Sequence, residues 1–140
     1  MSSQHSTLTP LETIQAVYDA FGRGDVDALF ERIDPDVDWG TQVDARGSEL
    51  VPMLANGRGH DAARHYFSGV TQLEFHRFEP LRFLVDAETV FVELSLDIEH
   101  RETGKRAQLG EIHRFVVRGG RIVHYRNFID TATLIELHRP

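Results

Sequence analysis

The chain contains no cysteine. Disulfides, thiolate nucleophiles and cysteine-ligated metals are excluded, and the absence fits a reducing compartment. Cations are also in short supply. Fifteen Lys and Arg stand against 22 Asp and Glu, for a formal net charge of −7. Nucleic-acid binding needs a basic face, so no nucleic-acid partner is expected. No apolar run approaches the ~20 residues of a membrane helix, so no membrane partner is expected either. The first eight residues, MSSQHSTL, have no basic stretch and no long apolar stretch of the kind a secretory leader carries. Residues 1–8 are expected to be a disordered polar tail, and the chain to be cytoplasmic. Metal-ligand spacing is missing as well. His60 and His65 are five apart and fall on different faces of a helix, and no His-x-x-x-His appears. Gly57-Arg58-Gly59 lacks the Lys-Ser/Thr of a phosphate loop. No metal and no organic cofactor are expected.

What remains is an ordinary globular composition, 41% hydrophobic and 26% charged over 140 residues. That length supports a single domain with a real core, placed at residues 9–140. Thr9-Pro10-Leu11-Glu12 is a helix start with a capping box and a proline at the first helical position. Leu11, Ile14, Val17, Tyr18 and Phe21 then form one apolar stripe. Asp25 caps a second helix over Val26 to Ile33, which Pro35 closes. Val37 to Gln42 is a short strand carrying the only tryptophan, Trp39. The stretch from Val43 to Gly59 has no clean period beyond a single helical turn, and is expected as a long loop at a pocket rim. His60 to Val70 is a third helix with Ala63, Tyr66, Phe67 and Val70 inward.

Strands follow. Leu73 to Val85 is interrupted by Pro80, which points to a bend, a bulge or an edge position. In Val90 to His100, Val90, Val92, Leu94, Leu96 and Ile98 share one face. The segment Lys105 to Asp130 is two long strands joined by a tight Gly119-Gly120 turn. On the first of these, Leu109, Glu111, His113, Phe115 and Val117 share a face. Asp130 caps a short final helix. Helices first and antiparallel strands last give an α+β fold, with a curved sheet wrapped around three helices.

These signals resemble the nuclear transport factor 2-like superfamily and, within it, the SnoaL-like group related to ketosteroid isomerases. The resemblance rests on Gly24-Asp25-Val26-Asp27-Ala28-Leu29, Asp36-Val37-Asp38-Trp39 and Gly57-Arg58-Gly59-His60-Asp61-Ala62. It rests most on Arg114-Phe115, Gly119-Gly120-Arg121-Ile122-Val123, Arg126-Asn127-Phe128 and Asp130. It implies a cone-shaped fold whose helices and concave mixed or antiparallel sheet enclose an apolar pocket. It also implies a homodimer through the outer sheet face. By the same match Glu111 takes the place of the isomerases' pocket acid, and Val92, Leu94, Leu96, Val123, Tyr125 and Asn127 face inward. The isomerase base falls near Thr41, with Asp38 and Asp44 beside it, and the oxyanion tyrosine falls near Val17, next to Tyr18. Only one of three isomerase groups is thus matched. The Asp-Arg-Asp set of limonene-epoxide hydrolase-like members is replaced by Leu94, Leu96 and Asn127, so that activity is not expected.

The candidate catalytic residues are Glu111, His113 and Asn127. A carboxylate and an imidazole at the polar end of an apolar pocket suit general acid–base work. They serve equally as a structural pair that satisfies itself, and Asn127 either orients a substrate oxygen or is a satisfied core amide. Tyr18, Trp39, Phe67, Leu94, Leu96, Leu109, Phe115 and Tyr125 are the expected pocket lining for a small hydrophobic, carbonyl-containing ligand. Three functions follow from this: a cofactor-independent isomerase, cyclase or dehydratase; a binding protein of the same fold; or a dimeric association module.

Overall fold

The structure, a computed structural model, describes residues 7–41 and 45–140. Most of the polar tail and the residues at 42–44, Asp44 among them, lie outside the described residues. The described residues form five helices and six strands in the order α1 (Pro10–Arg23), α2 (Val26–Glu31), β1 (Ile33–Thr41), α3 (Ala45–Leu50), β2 (Gly57–Arg58), α4 (Gly59–Val70), β3 (Leu73–Asp86), β4 (Thr89–His100), β5 (Arg106–Arg118), β6 (Arg121–Ile129) and α5 (Thr131–His138). The strands form one sheet in the order β2-β1-β6-β5-β4-β3. All neighbours are antiparallel except β1 and β6, so the sheet is mixed. No helix among the described residues is long and apolar enough to cross a membrane.

Local chemistry sets the element ends. The Thr9 backbone N–H donates to the Glu12 carboxylate at 2.9 Å, and the Glu12 N–H donates to the Thr9 hydroxyl at 3.1 Å. This reciprocal bonding satisfies two orphan donors of α1. Gly24 ends α1 at φ 68°, where a side chain would be strained. Gly119 and Gly120 both take positive φ and join β5 to β6 in a two-residue hairpin. Asp130 caps α5, accepting the Thr133 N–H at 3.1 Å.

Three expectations about the elements need correction. The second helix stops at Glu31, and Pro35 lies within β1 instead of closing the helix. Strand pairing wins there: the Ile122 N–H donates to the Arg32 carbonyl at 2.7 Å and draws the chain into register with β6. The described part of the expected 43–59 loop is ordered into α3, a 3-10 turn at Pro52–Leu54, and β2. Its order comes from distant partners that no local period reveals. The Asn56 side chain accepts the Thr41 N–H at 2.6 Å, and the Thr41 hydroxyl donates to the Leu54 carbonyl at 3.0 Å. Finally, Val123 does not face inward. A bulge between Val116 and Val117 makes Ile122 the buried residue and turns Val123 to an outer groove.

Bulges also shape β3. Register shifts at Phe75/Arg77 and Pro80/Arg82 space its inner residues Phe75, Phe78 and Phe83 unevenly, yet each still faces an inner residue of β4. Extra residues on one strand bend it and increase the local twist. Pro80 sits beside the second shift on an edge strand, where its missing N–H costs least. The bent sheet closes over α1 and α4, with Ile14, Val17, Ala63, Val90, Val92 and Ile98 in the shared core.

The 3-10 turn approaches α4 closely because position 69 has no side chain. A Cβ there would lie 2.9 Å from both Met53 N and Met53 Cβ. In an open helix, Gly to Ala stabilises by roughly 0.5–1 kcal/mol. Gly69→Ala is expected to reverse that sign and destabilise by about 1–3 kcal/mol through overpacking. Urea unfolding followed by circular dichroism measures it.

Candidate functional site

The inner sheet face, α1, α2, α4 and the 3-10 turn surround one strongly apolar cavity. From the helices and the turn come Val17, Tyr18, Phe21, Leu29, Met53, Tyr66, Phe67 and Val70. From the sheet come Trp39, Leu73, Phe75, Phe78, Leu96, Ile98, Glu111, His113, Phe115, Tyr125 and Ile129. The cavity volume is about 60 Å³. It is a narrow slot, well below the roughly 300–1,000 Å³ of open small-molecule sites, so a ligand must move the lining side chains as it enters.

Glu111 and His113 are both buried and both face this slot. They sit two apart on β5, so strand alternation aims them the same way. His113 Nε2 lies 3.0 Å from a Glu111 oxygen, off the line of a good ring N–H hydrogen bond. On the other side of the ring, Nδ1 lies 2.6 Å from the Tyr18 hydroxyl of α1. The nearby carboxylate favours the tautomer with its proton on Nε2. Nδ1 then carries the lone pair and Tyr18 donates to it, an assignment made from the network. A carboxylate, an imidazole and a phenol are thus in series, with the carboxylate beside Nε2 of the imidazole and the phenol hydrogen-bonded to Nδ1.

A second polar group adjoins the first. The Tyr66 and Tyr125 hydroxyls are 2.8 Å apart, and the Asn127 amide donates to Tyr66 at 3.2 Å. The chain has only three tyrosines, and all of them line this cavity. Burial pushes the Tyr18 phenol well above its usual range, with Glu111 and then Tyr66 adding to the effect. Tyr66 is raised by burial and then by Glu111. Tyr125 is raised by burial, then by Tyr66 and Glu111. All three therefore remain neutral donors in the folded protein.

Of the expected lining, Tyr18, Trp39, Phe67, Leu96, Phe115 and Tyr125 are brought together with Glu111 and His113. Leu94, Leu109 and Asn127 are not. Leu94 is buried and Leu109 half-buried, but both border a separate groove with Leu81 and Ile112. Alternation fixes the face a residue points to but says nothing of where along the strand the cavity ends. Asn127 is buried behind Tyr66, so it positions a cavity hydroxyl without lining the cavity itself. At the expected isomerase-base position, Thr41 is buried and bonded to Leu54, and carries no carboxylate. Asp38 lies on the outer face and pairs with Arg126 at 2.9 Å.

Tyr66 was legible as a core residue of α4, but its hydroxyl partners come from β6 and appear only in the fold. Tyr18 was legible as part of the α1 stripe, but its bond to His113 spans 95 residues. Among the described residues, one set has the chemistry of a cation site: Glu74, His76 and Glu99 on β3 and β4. Their contacts of 2.9–3.0 Å make His76 a bridge between two cross-strand carboxylates, with Arg101 3.7 Å from Glu74.

The tyrosine environments have a direct consequence at high pH. Each folded-state pKa is above the unfolded value near 10. The unfolded chain therefore loses these protons first, so stability is full below pH 10 and declines as pH rises beyond it. Phenolate absorbance is expected to stay silent above pH 10 and then to emerge together with the loss of circular dichroism. A phenolate signal that titrates while the fold is intact would contradict this.

The chain matches the SnoaL-like domain family over residues 14–125. Its fold is similar to an NTF2-like protein of unknown function from Burkholderia pseudomallei, at 25% identity and TM-score 0.81, with 94% of this chain and 98% of that one covered. It is also similar to TerC, which was co-crystallised with polyporic acid, at 24% identity and TM-score 0.77, covering 92% and 97%. A third similar structure, from Mesorhizobium loti, is described as a SnoaL-like polyketide cyclase; it is 19% identical with TM-score 0.68, covering 86% and 99%. No curated protein matches the chain significantly. The cone of helices and curved sheet, the apolar slot and the family match over most of the chain agree: this protein belongs to the SnoaL-like domain family, on the NTF2-like fold.

Proposed function

We propose that this chain binds a small, flat, hydrophobic carbonyl compound in the slot and moves a proton within it, without a metal or organic cofactor. The reaction class is isomerisation, cyclisation or dehydration. The observation that carries the reading is the Tyr18–His113–Glu111 series at the polar side of a cavity otherwise almost entirely apolar. A proton-transfer group gains from a dry site, where interactions between charges and dipoles are less screened. On ligand entry the Tyr18 hydroxyl turns from His113 Nδ1 to donate to the carbonyl oxygen, which frees Nδ1 to take the proton, while Glu111 orients the ring from the Nε2 side. Trp39, Phe67 and Phe115 supply aromatic surface for a planar ligand.

The sole tryptophan lines the slot, so ligand entry has a built-in reporter. With 2-tetralone as probe, Trp39 fluorescence is expected to be quenched saturably. Exchange of the ketone's α-protons in D2O, followed by NMR, is expected to run faster than in buffer. His113→Gln and Glu111→Gln are expected to keep the quenching and lose about 10²–10⁴-fold of the exchange rate. Quenching without accelerated exchange in the wild type would leave binding alone and remove the catalytic part.

One feature supports an additional role for the outer sheet face. Leu84 and Phe91 are a directly opposed cross-strand pair, 56% and 37% exposed, and Arg114 stacks over Phe128 at 5.2 Å nearby on the same face. We propose that this face pairs two copies of the chain. Sedimentation velocity is expected to show a dimer that Phe91→Arg converts to monomer. A wild-type monomer at high concentration would rule the pairing out.

A further inference from the structure

Outside the cavity, two histidines meet where α5 docks on the sheet. His100 ends β4 and His138 ends α5, with ring centroids 4.4 Å apart and planes at 60°. Both residues are more than nine-tenths buried. Backbone groups of fixed polarity decide both tautomers. His138 Nδ1 is 2.8 Å from the Leu134 carbonyl, which can only accept, so Nδ1 carries the proton. His138 Nε2 is left as a bare acceptor, buried and without a partner. His100 Nδ1 receives the Thr103 N–H at 3.2 Å, so this nitrogen is an acceptor and the ring proton sits on Nε2. In the neutral state the pair thus holds one free-acceptor ring beside one donor ring. A proton added at His138 Nε2 sets two donor rings against each other, and one added at His100 Nδ1 displaces the Thr103 N–H; either puts a charge in a buried place.

The same spot is what holds α5. The Thr103 hydroxyl, within the β4–β5 turn, donates to the Leu137 carbonyl at 2.7 Å. Lys105 reaches the Glu136 carboxylate at 2.8 Å on the solvent side. Leu134 and Leu137 are the helix's buried apolar contacts. At eight residues, α5 is too short to persist without its packing.

We propose that His100 and His138 form a proton-operated latch, in which uptake of one proton by the pair releases α5 from the β4–β5 turn. The surroundings offer that proton little counter-charge. Of the side chains bordering the groove with both rings, Glu102 of the β4–β5 turn alone is acidic, and it is exposed, as is Pro140 with its main-chain carboxylate at the groove's edge. From α3 and the turn after it come Leu50 and Pro52, and from the α4–β3 connection Gln72, all uncharged. Lys105 and Arg139 are already engaged with Glu136. Burial lowers the His138 pKa most, the bond to Leu134 raises it, and His100 lowers it again. The net depression fixes the sign. Detached α5 takes up the proton first, so docking is complete above the ordinary imidazole value of 6.5 and weakens as pH falls below it.

Hydrogen–deuterium exchange of the full chain, corrected for intrinsic rates, tests the latch. From about pH 7.5 to about pH 5, protection of α5 is expected to fall by at most about tenfold per pH unit, the limit for one proton, while β4–β6 stay protected. His138→Asn retains an amide donor for Leu134 and removes the titration, and is expected to flatten the α5 response. If that variant does not fold, NMR titration of the wild-type imidazoles replaces it, with His138 expected to titrate in step with α5 exchange. The latch is overturned by pH-independent α5 protection, by an unchanged response in His138→Asn, or by His138 titrating with no change in α5. Simultaneous loss of protection throughout the chain also overturns it, because that is global acid unfolding.

Discussion

The His113 imidazole is held from both sides, and the site depends on that arrangement. A buried ring nitrogen without a partner is costly, so a histidine on an inner strand face needs two neighbours of suitable polarity. Tyr18 supplies a hydrogen bond from α1, and Glu111, from the same strand, supplies a carboxylate 3.0 Å from Nε2 but off the line of a hydrogen bond. The bond to Tyr18 ties the first helix to the fifth strand at the cavity wall. Around it the tyrosine rings pack edge-on or tilted against Phe78, Phe83, Phe115 and Trp39, so the polar series is embedded in aromatic surface. Positioning and dryness therefore come from the same contacts.

The cavity itself is a product of bending. A flat sheet would lie against α1 and α4 without leaving a slot. Bulges in β3 curl its outer end, and the shift between β5 and β6 turns Ile122 inward and Val123 away. Gly69 brings the 3-10 turn down onto α4, so Met53 closes the wall from a segment with little regular structure of its own. Each device places a residue at the cavity through backbone geometry, with no requirement on side-chain type elsewhere.

Titratable groups divide by environment. Near Glu111, three phenols are kept neutral by burial and by a neighbouring carboxylate, so each keeps an O–H to donate. At α5, two imidazoles share a site with no buried acid lining it among the described residues, and that site tolerates the neutral pair. On the outer face, Asp38 pairs with Arg126 in partial contact with water, where such pairs contribute little, while the buried Asp97 takes a two-pronged bond from the half-exposed Arg106 at 2.8 and 3.0 Å. Apart from Asp97, the buried acids and imidazoles among the described residues fall in two places, and both of them join a helix to the sheet.

Period and punctuation in the sequence were enough to determine the α+β order, the ends of α1, the Gly119-Gly120 hairpin and which residues of β4 and β5 share a face, while the family resemblance gave those faces their inward direction. These depend on neighbours within a few residues: a capping box, a two-residue turn, alternation along one strand. They also gave Glu111, His113, Tyr18, Trp39, Phe67, Leu96, Phe115 and Tyr125 their shared direction. Only the tertiary structure decided which inward residues meet. It left Leu94 and Leu109 at another groove, put Asn127 behind Tyr66, made order out of the segment before α4, and paired Tyr18 with His113 and His100 with His138. Those outcomes turn on contacts across tens of residues and on single-residue bulges. A bulge shifts every later side chain by one place, and no local pattern records it.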